Sequence, residues 1–204
     1  MKFKITLKIN RKFGDLLPFN YQYEQSAVIY RILAQADTQY SSWLHENGYL
    51  LHERKRFKLF CYSPFIFEKV KPLPEAGCLN IIGEKVVWYI SFIPEKSTFE
   101  FIQGIFAHQS FTIGNKEHRV AFDVIGVEAM SMPQLTEQMA FQAMSPICVK
   151  LHEENKTQYL SPDNPMFADG ILKGLKARYE SIHGQPFDMN DKEFSFELTD
   201  NKVK

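Results

Sequence analysis

Residues 2–36 decide the fold class, and they read KFKITLKINRKFGDLLPFNYQYEQSAVIYRILAQA. Apolar side chains alternate with lysines and a threonine in residues 2–9, which predicts a strand with one buried face and one basic face. Gly14 and Pro18 then interrupt the pattern. Residues 22–36 carry apolar side chains at three- and four-residue spacing, which predicts an amphipathic helix. The chain therefore starts with a strand followed by a helix.

The elements predicted after this helix continue the same alternation up to residue 129. Strands are predicted at 56–63, 65–70, 78–83, 86–93, 110–114 and 118–129, with a short helix at 39–46. A longer helix is predicted at 95–107, with an apolar stripe made of Phe99, Ile102, Ile105 and Phe106. This order predicts a ferredoxin-like βαββαβ unit with both helices on one face of an antiparallel sheet. The open face of such a sheet is a common RNA platform.

A second unit of the same kind is predicted to begin after the linker Ser131-Met132-Pro133-Gln134. Its predicted elements are strands at 139–150 and 157–160, a helix at 165–182 and a strand at 192–199. The predicted fold is thus α+β, with tandem ferredoxin-like domains of the RRM or RAMP type, the second incomplete. The expected division is 1–130 for the first domain, 131–137 for the linker and 138–204 for the partial second domain.

Composition limits the cellular context. The chain has 204 residues, 45% of them hydrophobic, and no apolar run of the roughly 18 residues that a membrane span requires. Its three cysteines (Cys61, Cys78 and Cys148) form no CxxC motif and are expected to be free thiols in a cytoplasmic protein. Residues 1–71 hold 12 Lys and Arg against 6 Asp and Glu, although the whole chain is neutral. A basic first third is consistent with a localised site for a polyanion, or with ordinary surface variation.

The common catalytic and nucleotide-binding motifs are absent. There is no GxxxxGK[ST], GxGxxG or GxSxG, and His52-Glu53 lacks the second histidine of a metalloprotease motif. The six histidines have no metal-ligand spacing with one another or with the cysteines. No metal and no cofactor are expected.

One dense polar cluster remains, from Trp43 to Lys58. It contains His45, His52 and a basic run, Arg54, Lys55 and Arg56. RNA can be cleaved by its own 2′-hydroxyl when one group removes that proton, another protonates the leaving 5′ oxygen and a cation stabilises the phosphorane. Histidine suits proton transfer near neutral pH, and lysine supplies the charge. The competing interpretation is a solvated loop in which each histidine has a structural role.

Four motifs follow one another in residues 21–63: Tyr21-Gln22-Tyr23, Ile29-Tyr30, Leu44-His45-Glu46-Asn47-Gly48-Tyr49 and Phe57-Lys58-Leu59-Phe60-Cys61-Tyr62-Ser63. A fifth, Met144-Ser145-Pro146-Ile147, lies near the start of the predicted second domain. In this order they resemble the CRISPR repeat-processing endoribonucleases, the crRNA-maturing members of the RAMP superfamily. The resemblance implies two tandem ferredoxin-like domains and metal-independent cleavage of CRISPR repeat RNA that leaves a 2′,3′-cyclic phosphate.

The resemblance also implies which residues carry the reaction. A tyrosine, a histidine and a lysine act in that family, and they correspond here to Tyr30, His45 and Lys58. His52 is the alternative histidine, because Leu51-His52-Glu53 repeats the Leu-His-Glu triplet. Tyr30 also has an interpretation as a core residue of the first helix. The basic run at 54–56 is expected to contact RNA.

The alternative function is a non-catalytic RAMP-type RNA-binding subunit of a CRISPR effector complex. The partners considered are CRISPR repeat RNA, other effector subunits and a second copy of the chain. Members of the family carry a glycine-rich loop before their last strand, whereas Gly170, Gly174 and Gly184 are isolated. We therefore expect that this C-terminal segment is missing from the chain and that RNA binding, and with it activity, is weakened.

Overall fold

The alternating residues of the first strand form the centre of the core. In a computed structural model that describes residues 1–51, 55–153 and 156–187, strand β1 covers Lys2–Asn10. Its four alternating apolar side chains have exposed fractions between 0% and 4%: Phe3, Ile5, Leu7 and Ile9. Full burial of such a side chain stabilises the fold by roughly 1.5–3 kcal/mol. The predicted strand with one buried face is confirmed.

The other strands and helices follow β1 along the chain. The strands are β2 (Leu16–Pro18), β3 (Tyr49–Leu51), β4 (Lys55–Phe57), β5 (Phe60–Tyr62), β6 (Ile66–Phe67), β7 (Val70–Leu73), β8 (Cys78–Ile81), β9 (Lys85–Phe92), β10 (Ser110–Gly114), β11 (Arg119–Met130), β12 (Val149–Glu153) and β13 (Lys156–Leu160). The helices are α1 (Gln22–Ala36), α2 (Thr38–Glu46), α3 (Glu95–Ala107) and α4 (Met166–His183). Two short 3-10 turns lie at Arg11–Phe13 and Pro74–Ala76.

The principal sheet is antiparallel and has the strand order β10-β11-β1-β9-β5, with β6 also paired to β9. β1 lies between β9 and β11, and α1 and α3 follow β1 and β9 along the chain. The order β1-α1-β5-β9-α3-β11 is the βαββαβ arrangement of a ferredoxin-like unit. The predicted α+β fold class is confirmed, and the two long helices of this unit begin and end at the predicted residues.

Helices α1 and α3 pack closely against each other because Gly104 of α3 has no side chain. A Cβ placed on Gly104 would lie 1.9 Å from the carbonyl oxygen of Ile32 in α1. Backbone cannot move away as a flexible side chain can, so only glycine permits this approach. The position of α1 relative to the sheet therefore depends on this residue.

Gly104→Ala is expected to destabilise the protein by about 2 kcal/mol or more, because overpacking outweighs the gain in helix propensity. Urea unfolding at equilibrium measures this change. Gly174→Ala in α4 is the matched control, since the nearest atom to its Cβ is Nη1 of the flexible Arg178 side chain at 3.2 Å. The control should leave the free energy of unfolding unchanged or raise it, and equal losses in the two variants would contradict the packing argument.

The buried face of α3 differs from the predicted apolar stripe. Its buried residues are Ser97, Phe101, Gly104 and Ile105. Two members of the predicted stripe are exposed, Phe99 by 61% and Phe106 by 59%. The helix has apolar residues on more than one face, so periodicity did not decide between them. The face of α3 that carries Ser97 and Gly104 is buried because its small residues allow α1 to pack closely.

The chain divides into two compact units, 1–46 with 58–144 and 47–57 with 145–204. In the second unit, Val149, Leu160 and Phe167 form a small core with Leu151 and Ile171 packed against it. It also contains two antiparallel strand pairs, β3 with β4 and β12 with β13. The strand predicted at 192–199 lies outside the described residues.

The strand predicted at 139–150 is wrong. The segment before Val149 is irregular and mostly exposed, and β12 starts only at that residue. Pro146 interrupts the predicted run, and a proline has no backbone N–H to donate to a strand partner. Among the described residues, none of the helices combines the length and apolar character needed to cross a membrane.

Candidate active site

Tyr30 lies on α1, and its ring contacts two other rings. The side chain is half-buried, and its ring centroid is 4.9 Å from that of His45, with the rings nearly perpendicular at 84°. The Phe60 ring of β5 makes a second edge contact, with its centroid 5.7 Å from that of Tyr30. Such edge contacts hold an aromatic ring in one orientation. Tyr30 is therefore neither a simple core residue nor a freely mobile surface residue.

His45 is placed by the way α2 follows α1. Asp37 is the one residue between the two helices, and its Oδ1 accepts a hydrogen bond of 2.8 Å from the backbone N–H of Tyr40. This bond, more than the nearby Lys96, holds the pKa of the Asp37 carboxyl below its usual value. Side-chain capping of this kind fixes where a helix begins. The start of α2, and hence the position of its last turn, is determined by Asp37.

The body of α2 is tied to both neighbouring helices. Ser41 Oγ donates a hydrogen bond of 2.8 Å to the carbonyl oxygen of Tyr30, and the Tyr40 hydroxyl bonds the buried Ser97 hydroxyl of α3. Leu44 is fully buried, whereas His45, the next residue, is exposed. The helix thus presents the imidazole to solvent beside the Tyr30 ring.

Lys58 caps the same helix end. Its Nζ donates hydrogen bonds of 2.5 Å to the carbonyl oxygens of Leu44 and His45. A cation at a helix C-terminus satisfies carbonyls that lack intrahelical partners and interacts favourably with the helix dipole. Lys58 therefore lies at the end of the helix that carries His45.

The single strand predicted at 56–63 is wrong, because the chain breaks at Lys58 and Leu59. β4 ends at Phe57 and β5 begins at Phe60. Between them Leu59 adopts φ +54°, a left-handed conformation that costs a non-glycine residue roughly 1–2 kcal/mol. Leu59 is buried, and its carbonyl accepts a bond of 3.0 Å from the N–H of Ile93, which helps to offset that cost.

Burial raises the pKa of the Tyr30 phenol, and the neighbouring Tyr62 raises it further. The phenol is thus neutral at physiological pH and can donate a hydrogen bond. Because the pKa is higher in the folded than in the unfolded state, its contribution to stability is present below about pH 10 and is lost as the pH rises through the raised pKa.

Tyr30→Phe is accordingly expected to make the free energy of unfolding less sensitive to pH between about 9 and 11. Urea unfolding across this range is the measurement. Tyr23→Phe, at a side chain that is 79% exposed, is the matched control and should follow the wild-type curve. Superimposable curves for Tyr30→Phe and the wild type would show that the burial of this phenol has no energetic consequence.

The structure brings together Tyr30 of α1, His45 of α2 and Lys58 of the break between β4 and β5. Of the other predicted residues, Lys55 and Arg56 are exposed on β4, and His52 and Arg54 lie outside the described residues. The described ranges contain no group of three or more His, Cys, Asp or Glu residues arranged to hold a metal. The arrangement offers a solvent-exposed imidazole, a neutral phenol and an ammonium, a set suited to proton transfer and to stabilising negative charge.

Sequence reasoning missed the residues that hold this set in place. Phe60 supports the Tyr30 ring, Ser41 joins α2 to α1, and Tyr62 donates a hydrogen bond of 3.0 Å to the Gln22 carbonyl. All three act through contacts with residues at least 11 positions away along the chain. Local pattern carries no signal for such contacts.

The chain is similar to known proteins of one family. A family model described as "CRISPR-associated protein Cas6, N-terminal" matches residues 16–122, and one described as "CRISPR associated protein Cas6, C-terminal" matches residues 130–204. "CRISPR-associated endoribonuclease Cas6 1" of Methanocaldococcus jannaschii is 27% identical over 199 residues, which cover 96% of this chain and 71% of that protein. "CRISPR-associated endoribonuclease Cas6" of Pyrococcus furiosus is 24% identical over 189 residues, which cover 92% of this chain and 66% of that protein.

Solved structures show that the fold is shared. "Characterization of a Cas6-related gene from Pyrococcus furiosus" has a TM-score of 0.74 at 24% identity and covers 92% of this chain and 73% of that chain. "An RAMP protein binding different RNA substrates" has a TM-score of 0.72 at 25% identity and covers 92% and 74%. The resemblance inferred from residues 21–63 is thereby confirmed. Because the two family models match both parts of the sequence, the chain belongs to the Cas6 family of CRISPR-associated proteins.

Proposed function

We propose that the chain is a metal-independent endoribonuclease that cleaves CRISPR repeat RNA and so converts precursor transcripts into guide RNAs. The observation that carries the proposal is the contact between the Tyr30 and His45 rings, whose centroids are 4.9 Å apart. His45 lies in the last turn of α2, and the Lys58 ammonium binds the last carbonyl oxygens of that helix. Two relatives are named as endoribonucleases, which supports RNA cleavage as the class of reaction.

The proposed reaction is an attack by the ribose 2′-hydroxyl on the adjacent phosphorus. The 2′ oxygen loses its proton, a bond forms between that oxygen and phosphorus, and the bond from phosphorus to the 5′ oxygen breaks. The 5′ oxygen gains a proton and leaves as a hydroxyl. The products are a 2′,3′-cyclic phosphate and a 5′-hydroxyl, and no outside reactant is consumed.

The three side chains would divide the work by their chemistry. The exposed imidazole of His45 exchanges a proton with the reacting oxygens, since imidazole can both accept and donate a proton near neutral pH. Tyr30, a neutral phenol, donates a hydrogen bond that orients the phosphate. Lys58 supplies positive charge near the phosphorane and holds the end of α2. His52 is the alternative to His45.

Phosphate contacts would come from the exposed side chains of Lys55 and Arg56 on β4, together with Arg54. Such contacts position RNA without reading its bases. Neutralising them should weaken binding in a salt-dependent way. The alternative function, a non-catalytic RNA-binding subunit, would use the same contacts but produce no cleavage.

Incubation of repeat RNA with the full chain in EDTA tests the proposal. A single specific cut is expected, with a 2′,3′-cyclic phosphate on the upstream product, and a scrambled RNA should stay intact. Cleavage that requires added Mg²⁺, or products with a 3′-hydroxyl, would overturn the proposed reaction. Specific binding without any cut would favour the non-catalytic subunit.

A further inference from the structure

A second feature of the first unit lies between α1 and the outermost strand β10. Two adjoining cavities of about 400 and 470 Å³ share Arg31 and Thr112 as lining residues and together form one open groove. We call it the edge groove and define it by the side chains of Lys12, Phe13, Arg31, Thr112, Lys116 and Arg119. It is open to solvent and does not enclose a small ligand.

The edge groove is basic. Lys12, Arg31, Lys116 and Arg119 line it and are all exposed. Within the described residues, none of these four forms an ion pair with a carboxylate. Two carboxylates, those of Glu24 and Asp123, also line the groove, so four cations against two anions leave it with an excess of positive charge. The positive charge is therefore available to an anionic partner.

Phe13 is an exposed aromatic ring with two of these cations close to it. Lys12 Nζ lies 5.5 Å from the ring centroid and Arg119 Cζ lies 5.0 Å from it, while 46% of the residue stays exposed. The exposed part of such a ring can stack with a nucleobase, and the cations close to it can bind the neighbouring phosphates. An acidic peptide would use the charges but would have no need of the ring.

The groove is held in shape before any partner binds. Asn10 Oδ1 accepts a bond of 3.2 Å from the N–H of Lys12 and so fixes the turn that presents Phe13. Asn115 Oδ1 accepts bonds of 2.9 and 2.7 Å from the N–H groups of Glu117 and His118, which fixes the turn that carries Lys116. Rigid contact residues lose little entropy on binding.

Arg31 links the two sides of the groove. Its Nη2 donates a bond of 2.9 Å to the carbonyl oxygen of Thr112, a backbone group on the outer edge of β10. A guanidinium has five N–H donors, so this bond uses only a fraction of its capacity. The side chain is thereby positioned across the groove while it retains its positive charge.

The edge groove and the candidate active site lie on different sides of α1. Tyr30 and Arg31 are consecutive residues, so their side chains point about 100° apart around the helix axis. Tyr30 contacts Phe60 of β5, whereas Arg31 bonds Thr112 of β10, and these strands are at opposite ends of the sheet order. A helix with its side chains is about 10–12 Å across, a distance that a few nucleotides can span.

We propose that the edge groove is a second RNA-binding site, which holds a single-stranded segment of the same transcript a few nucleotides from the cleaved bond. One base stacks on Phe13, and the neighbouring phosphates bind Lys12, Arg31, Lys116 and Arg119. This assignment rests on the proposed function, because it takes RNA as the partner. It adds a contact that would hold the substrate without taking part in the reaction.

Binding of repeat RNA to the full chain carrying His45→Ala, which prevents cutting during the measurement, tests the assignment. Added Phe13→Ala should lower affinity about tenfold, through the loss of one stacked base. Lys116→Gln combined with Arg119→Gln should make the slope of log affinity against log salt concentration shallower by about 1.4. This is the change expected when two phosphate contacts to a single strand are lost. Lys69→Gln with Lys71→Gln, which removes two exposed charges outside the groove, is the matched control and should change neither quantity.

A second measurement separates this assignment from the proposed function. RNA that contains 5-iodouridine is cross-linked to the chain by light, and the modified peptide is identified by mass spectrometry. An adduct at Phe13 is expected even if the wild-type chain cuts no RNA. The assignment is overturned if Phe13→Ala binds as tightly as its parent and Phe13 carries no adduct, whether or not the wild type cleaves. Binding of polyglutamate in the groove without an RNA adduct would overturn it in favour of an acidic protein.

Discussion

Replacing His45 with alanine is expected to slow single-turnover cleavage of repeat RNA by about 10²–10⁴-fold, the usual contribution of a general acid or base. His45 is exposed, and its one described ring contact is with Tyr30. The variant should therefore fold, because exposed substitutions usually change stability by about 0.5 kcal/mol or less. Urea unfolding of the same preparation separates a lost proton donor from a lost fold.

His52→Ala is the matched control, since it removes the other histidine of a Leu-His-Glu triplet. Its cleavage rate should stay within a few-fold of the wild type. The opposite pattern, with His45→Ala active and His52→Ala inactive, would transfer the role to His52. Two fully active variants would leave neither histidine as the acid or base.

Lys58→Met is expected to have two effects of different origin. Loss of the ammonium at the end of α2 should lower the free energy of unfolding by about 1 kcal/mol, as for a cation at a helix C-terminus. Loss of the charge near the phosphorane should slow cleavage by about 10²–10³-fold, more than the stability change explains. Cleavage and unfolding are both measured at about 25 °C, where the variant remains folded.

Lys58→Arg separates these effects, because the larger guanidinium can cap α2 but places its charge differently beside the phosphorane. Its cleavage rate should therefore recover less than its stability. An arginine retains the charge and can donate to the carbonyls of Leu44 and His45, so stability should largely return. If Lys58 only positions His45, the rate should recover together with stability in every variant at this position. A Lys58→Met variant that cleaves at the wild-type rate would remove the residue from the site altogether.

Periodicity predicted the helices well because their local signals are strong. Residues 22–36 and 95–107 form helices with those bounds, and the short helix predicted at 39–46 extends over Thr38–Glu46. The face of α3 could not be predicted, because burial of Ser97 and Gly104 depends on the approach of α1. A helix that is apolar on more than one side needs its neighbour to decide which side is buried.

The break at Lys58 is the clearest case of tertiary structure overriding local pattern. Residues 56–63 alternate as a strand should, yet Leu59 adopts a left-handed conformation. That conformation is stabilised by the bond from Ile93 and accompanies the capping of α2 by Lys58. The family resemblance identified Lys58 as a candidate residue. Only the structure showed that Lys58 contacts the C-terminal end of α2.

The candidate site was predicted as residues and not as geometry. Tyr30, His45 and Lys58 were named from short motifs, and their roles stay predictions until the variants are measured. The edge groove had no counterpart in the sequence analysis, because Lys116 and Arg119 lie in the acidic part of the chain. They join Lys12 and Arg31 only when β10 and β11 fold beside α1. The domain division at 131–137 likewise stays a prediction.

The central claim is that the ribose 2′-hydroxyl of the substrate is the nucleophile. The most direct measurement is single-turnover cleavage, in EDTA, of repeat RNA that carries one 2′-deoxynucleotide immediately before the cleaved phosphate. This RNA is expected to bind like the unmodified repeat and to stay uncut, while a 2′-deoxynucleotide one position further along should leave cutting intact. Cleavage of the substituted bond at the normal rate would contradict the claim.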